Sequence, residues 1–157
     1  NSTLQTINRG HTYEDSVTAI TKTAALGIHT GAHVIFGLPG EKDADMLAEA
    51  EILSQLPLTT IKFHQLQIMK DTAMAIQYQN NPAAFTFFSL PQYIHFIVSF
   101  AERLNPDFVI ERFTSEAPPR FRVGPTWGNL RTDQLQILIE TEFEKRDTWQ
   151  GRLFQKV

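Results

Sequence analysis

"HVIFGLPGE", residues 33–41, is the stretch on which the fold class turns. An apolar run stops abruptly at Gly37, Leu38, Pro39 and Gly40, where a backbone can turn sharply and approach another group closely, and a carboxylate follows at once. The run before it is short enough for a strand, and the acidic "EKDADMLAEAEILSQLP" after it reads as a helix. Its negative first turn suits the positive end of the helix dipole, Met46, Ala50 and Leu53 share a face, and Pro57 closes it. Upstream, "HTYEDSVTAITKTAALG" predicts another helix. Thr12 and Asp15 have capping-box spacing, Tyr13, Val17, Ile20 and Ala24 fall on one face, and Gly27 suits the exit.

The same alternation continues downstream. "TTIKFHQLQI", residues 59–68, reads as a strand with Ile61 and Phe63 on one side and Lys62, His64 and Leu66 on the other. A short helix is expected near residues 72–79. A longer one follows Ser89, with Gln92 at the answering position and Tyr93, Ile97, Phe100 and Leu104 as its stripe, and Asn105–Pro106 ends it. "DFVIERFT" (107–114) is a third strand, "SEAPPRFRVGPTWGNLR" (115–131) a Pro- and Gly-rich loop, and "TDQLQILIETEFEKR" (132–146) a last helix. The charges at 139–146 read as a solvated face, and Asn129 with Arg131 as a lock ahead of that helix. Strands alternating with helices imply parallel pairing, so the fold class is α/β, as a barrel segment or a doubly wound sheet.

Composition narrows the setting. The 157 residues suffice for one ordinary core, and 14 basic against 17 acidic side chains give no general attraction to a phosphate backbone or an anionic membrane. The chain contains no cysteine, which removes disulfides, thiolate metal sites and a cysteine nucleophile. "AAFTFFSLPQYIHFIVSF" is broken by Pro91 and His95 and is too interrupted to span a bilayer, and no basic-then-apolar leader opens the sequence. A cytoplasmic protein is expected. The start, without an initiator methionine, reads like a piece of something longer.

"GLPGE" is placed at the carboxyl end of a parallel strand, where α/β sheets and barrels put their sites. On the pattern alone a plain turn, with Glu41 in the first turn of the next helix, is the favoured account. The strand faces argue for more. If Val34, Phe36, Ile61 and Phe63 pack under the helices, then His33, Ile35 and Gly37 share the other face with Lys62 and His64. Two imidazoles and an ammonium together suit a polar interior that holds a ligand rather than a dry core.

"INRGHT" (7–12), "HVIFGLPGE" (33–41), "IKFHQLQIMKDT" (61–72) and "GNLR" (128–131) resemble, in order and spacing, the second half of radical S-adenosylmethionine (SAM) proteins. The resemblance is nearest to the YhcC type of Fe–S oxidoreductase, related to the catalytic subunit of elongator and to oxygen-independent coproporphyrinogen oxidase. It implies a partial (β/α) barrel with a carboxyl-terminal extension, divided at about residues 1–114 and 115–157. It also implies SAM as cofactor and a 4Fe–4S cluster, held by CxxxCxxC or a longer-spaced variant in a missing amino-terminal half of the barrel. The family's adenine-facing GxIxG strand falls on His33, Ile35 and Gly37, with His33 replacing the first glycine and Glu41 one place late for the trailing acid.

Arg9 and His11 match the segment after the fourth barrel strand, Arg9 toward the methionine carboxylate or as a brace. Lys62 matches a sixth-strand lysine, with His64 beside it. Arg112, Glu116 and Pro118 match an Arg, an acid and a Pro of the relatives, while Ser115 replaces a second arginine. The resemblance implies an oxidoreductase parent whose chemistry this cysteine-free chain does not perform alone. A tRNA partner follows only by analogy with elongator, and self-association is expected of a cut barrel. Two other readings stay open: a metal-dependent barrel hydrolase or lyase using His33 and His64, and a cluster-free binding module.

Overall fold

Capping residues set the helix boundaries. In the computed structural model, which describes residues 1–115 and 117–156, a short α1 (Ser2–Thr6) precedes α2 (Tyr13–Ala25). The Asp15 backbone N–H donates to Thr12 Oγ1 at 3.2 Å and the Thr12 N–H to Asp15 Oδ2 at 2.9 Å, the expected reciprocal box. The chain leaves α2 at Gly27, with φ 73°. β1 (Gly31–Phe36) leads into α3 (Asp43–Ser54), and β2 (Thr60–Gln65) into the two-residue β3 (Ile68–Met69) and α4 (Ala73–Asn80). Then follow α5 (Leu90–Ala101), β4 (Val109–Arg112), β5 (Arg122–Val123) and α6 (Thr132–Lys145).

β1, β2 and β4 form one parallel sheet in that order, the arc of a partial (β/α) barrel. The fold class is therefore α/β, as the alternation of elements implies. Only one face of the arc is covered. Phe36 from β1 and Ile61 and Phe63 from β2 are fully buried under α5, where Phe96 and Phe100 meet the strand phenylalanines at ring distances of 4.9–5.4 Å. Edge-on and tilted rings are the favoured geometries for such a cluster. α5 is buried nearly all round because α3 and the sheet lie on one side and Leu135 and Ile139 of α6 join the core from another. The stripe Tyr93, Ile97, Phe100 and Leu104 is buried as expected, with Phe96 added to it.

Three expectations need correction. The strand read over 59–68 is two. Regular pairing to β1 ends at Gln65, and Ile68–Met69 pair instead with Val123 and Arg122 in a separate antiparallel ribbon. Alternation continues through both pieces, so period alone does not reveal the change of partner. The loop at 115–131 correspondingly contains β5 and a 3₁₀ turn at Pro119–Phe121. Finally, the face at 139–146 is not wholly solvated. Arg146 is partly buried, donates to Glu142 Oε1 at 2.7 Å and reaches Ser99 Oγ at 3.0 Å, tying α6 to α5.

Among the described residues no helix is long and apolar enough to cross a membrane.

Candidate functional site

The uncovered face of the arc is built by the registers of its strands. His33 lies opposite Lys62, and Ile35 opposite His64. Between Ile61 and Lys62 the pairing to β4 slips by one residue, so that Lys62 aligns with Arg112. Regular pairing would already set Glu111 opposite Lys62, and the irregularity brings Arg112 there as well. Lys62 Nζ lies 2.8 Å from Glu111 Oε2, and the Arg112 guanidinium lies 3.3 Å from His64 Nε2.

A guanidinium can only donate, so His64 Nε2 is the acceptor and carries no proton. Burial, then the charge of Arg112, with His33 and Lys62 adding to it, holds the His64 pKa below its ordinary value. His64 is thus a neutral imidazole at neutral pH. The His33 ring stacks on it at 5.3 Å with the planes 25° apart. Across the face the Lys62 hydrogen bond is the largest of the causes that hold the Glu111 carboxyl below the usual range.

Ile35 is the apolar member of this surface and is 43 % exposed. It lines a cleft of about 210 Å³ at the carboxyl ends of the strands, together with His64, Gln67, Met69, Ser115 and Ala117. That is below the ~300–1,000 Å³ usual for a complete small-molecule pocket, as befits one wall of a site. The roof is clasped from below: Gln67 Nε2 donates to the Ser115 carbonyl at 2.6 Å, and Thr114 Oγ1 to Gln65 Oε1 at 2.6 Å. Sequence reasoning missed Gln65, Gln67, Thr114 and Glu111 as parts of this site. The period-two glutamines of "QLQ" were the available signal.

Gly37 does not share the face of His33 and Ile35. The strand ends at Phe36, and Gly37, at φ 84°, turns inward: its N–H points at Met46 Sδ, 3.2 Å away, and its missing side chain faces Phe88 and the Thr86 carbonyl. Glu41 is likewise a turn residue. It accepts from the Leu38 N–H at 2.9 Å, two residues ahead of α3 rather than in its first turn. Burial pushes its pKa up, against the pull of the Leu38 and Gly37 N–H groups. Arg9 and His11 are exposed in the turn between α1 and α2, with no side-chain bond to the strand cluster among the described residues. Pro118 is exposed beside the cleft's Ala117, and Glu116 lies outside the described residues. Arg131 caps α6 as a lock, its N–H donating to Gln134 Oε1 at 3.0 Å.

The geometry does not favour a two-histidine metal centre. The rings of His33 and His64 stack, so their in-plane lone pairs do not converge, and Arg112 occupies His64 Nε2. Among the described residues no group of three His, Cys, Asp or Glu is placed to hold an ion.

Residues 58–145 match the model of the Radical_SAM C-terminal domain. The chain belongs to this family. It is 32% identical to YtqA of Bacillus subtilis over 152 residues, covering 96% of this chain and 46% of the relative, and 33% identical to MJ0486 of Methanocaldococcus jannaschii over 155 residues, covering 97% and 47%. YhcC of Escherichia coli K12 is 26% identical over 125 residues, 80% of this chain and 40% of that protein. The chain thus spans about half the length, or less, of these relatives. The archaeal Methanocaldococcus infernus Elp3 with an N-terminal deletion has the same fold over 96% of this chain and 34% of its own, with a TM-score of 0.79 at 18% identity.

Proposed function

We propose that the uncovered strand face supplies part of the SAM- and substrate-binding wall of a radical SAM enzyme. The observation that carries this reading is the face itself: half-exposed Ile35 at the carboxyl end of a parallel strand, beside a stacked histidine pair and two clamped cations, in a member of the Radical_SAM C-terminal domain family. Residues 1–114 form the rear of the barrel and 115–157 its extension. Ile35 offers an apolar contact for a flat base. His33, Lys62 and His64 face the ligand, Gly37 sets the turn that ends the strand, and Arg9, exposed in the turn between α1 and α2, is assigned to SAM by the family resemblance alone.

The chain fits SAM as a wall and does not fit the 4Fe–4S cluster, because a chain without cysteine has no thiolate to hold iron. When bound, the cluster would supply the low-potential electron for SAM cleavage, from a cysteine-bearing amino-terminal barrel half outside this chain. The work of the present residues is to bind and orient. The parent enzyme is then a cytoplasmic oxidoreductase, and a tRNA substrate rests on elongator analogy alone.

The test is made on the protein as its cells produce it, with iron quantified anaerobically and SAM binding followed by equilibrium dialysis. About four irons per chain are expected, with SAM binding weakened about tenfold or more by Ile35→Asp, which places a charge where an apolar contact is needed. Iron-free protein that binds no SAM would sink the reading.

A further inference from the structure

A second cavity lies on the helix side of the sheet, behind the cleft, and shares only its wall at Gln65–Gln67 and Ser115. Phe36, Phe88 and Trp127 form its apolar sides, and the Trp127 indole N–H, donating to the Phe88 carbonyl at 2.9 Å, fixes two of those walls to each other. Its volume of about 60 Å³ is more than one water requires (~10–15 Å³) and suits a few waters or a small anion.

The electrostatics of the lining are one-sided. Two arginines, Arg122 and Arg131, line the cavity, and among the described residues it contains no carboxylate. Arg131 is engaged with Asp133. Arg122, held on β5 by the pairing to Met69, has its Nε buried and without a hydrogen-bond partner among the described residues. Two of its polar neighbours already have partners: Gln67 donates to the Ser115 carbonyl and Thr114 to Gln65. Leaving a buried donor idle is costly, and more so on a charged group.

We propose that this cavity binds the oxyanionic end of a small-molecule ligand, with Arg122 Nε–H as its donor. An N–H on a guanidinium is among the strongest donors to an oxyanion, and the aromatic sides accommodate a short apolar stem behind the charged head. The site goes beyond the SAM reading. It lies on the opposite side of the sheet from Ile35, and it stands even if the uncovered face binds something else.

The experiment is calorimetric titration of the intact protein with acetate and, separately, with inorganic phosphate, at constant ionic strength made up with chloride. Saturable binding is expected, with a change in tryptophan emission that Trp127→Phe abolishes. Acetate binding more tightly identifies a carboxylate ligand, and phosphate binding more tightly a phosphate ester. Arg122→Gln should weaken either about ten- to hundredfold, the worth of one hydrogen bond to a charged group. Arg120→Gln, which alters an exposed side chain stacked over the Phe121 ring, should change nothing. Absence of saturable binding by both anions, or unaltered binding in Arg122→Gln, overturns the proposal. Should that variant not fold, a crystal of the wild-type protein soaked in the better anion decides. An anion within hydrogen-bond reach of Arg122 Nε supports the assignment, and its absence there overturns it.

Discussion

Gly37 and Gly40 carry positive φ of 84° and 86°, the conformation a side chain resists and glycine accepts. A Cβ at Gly37 would meet Phe88 and Thr86 only at ordinary contact distances, from 3.5 Å, and at Gly40 it would meet nothing. The demand for glycine is therefore conformational at both positions. Gly37→Ala and Gly40→Ala should each cost about 1–2 kcal/mol in urea unfolding, and by similar amounts. A much larger loss at Gly37 would show that close packing, rather than backbone strain, selects it. Glu49 is the other informative residue. Burial first, then the charges of Glu41 and Asp45, raises its pKa to about 7. A carboxyl raised above its unfolded value favours the folded state fully below that unfolded value and loses the advantage as pH climbs through the folded one. Stability should therefore decline between about pH 4.5 and 7, and Glu49→Gln should remove much of that decline. Its partial exposure discounts the effect to about 1 kcal/mol, read from denaturation midpoints across that pH range.

At the scale of elements, what was legible depended on whether the signal was local. Thr12 with Asp15 and Ser89 with Gln92 announce two helices because capping is settled within four residues, and in both pairs the backbone N–H of the first residue meets the side chain of the second at 2.9 Å. The inward set Phe36, Ile61 and Phe63 follows from period two, and with it the outward set His33, Lys62 and His64. β3 and β5 were not legible. Two-residue strands carry no period, and their pairing joins Ile68 to Val123, which lies far along the chain in a stretch that composition marks only as irregular. The contact of Arg112 with His64 was hidden for a related reason, since regular pairing onward from Ile61–Ile110 would set Arg112 beside Phe63, and no spacing in the sequence encodes the register slip that sets it beside Lys62. The clasp beneath the cleft can be tested as a unit. Gln67→Leu keeps the bulk but leaves the Ser115 carbonyl without its 2.6 Å donor. It should cost about 1 kcal/mol and speed amide hydrogen exchange in residues 114–123, with α5 unaffected. Unchanged exchange there would mean that β3–β5 pairing alone holds the loop.

At the scale of the whole molecule, the arc is stabilised from one side only. Its helix face is closed by a continuous phenylalanine core, while its other face exposes Ile35 at 43 % and Val109 at 58 %, and β1 and β4 are both edge strands. Exposed parallel edges with apolar residues beside them template further pairing, and a full barrel removes them by closure. The Lys62–Glu111 pair and the His33–His64 stack on the same face oppose this, because association without complementary partners would desolvate them at a cost. The two tendencies differ in salt dependence, which makes them separable. The 157-residue chain alone should self-associate with rising concentration in light scattering. Association should be stronger at high salt, where repulsion between net-negative chains is screened while apolar contact persists. Val109→Lys, which adds charge at an edge without touching the core, should reduce it. A compact monomer at high concentration in both salts would mean that the uncovered face is already a finished surface, and would remove the argument that the arc is one wall of a larger barrel.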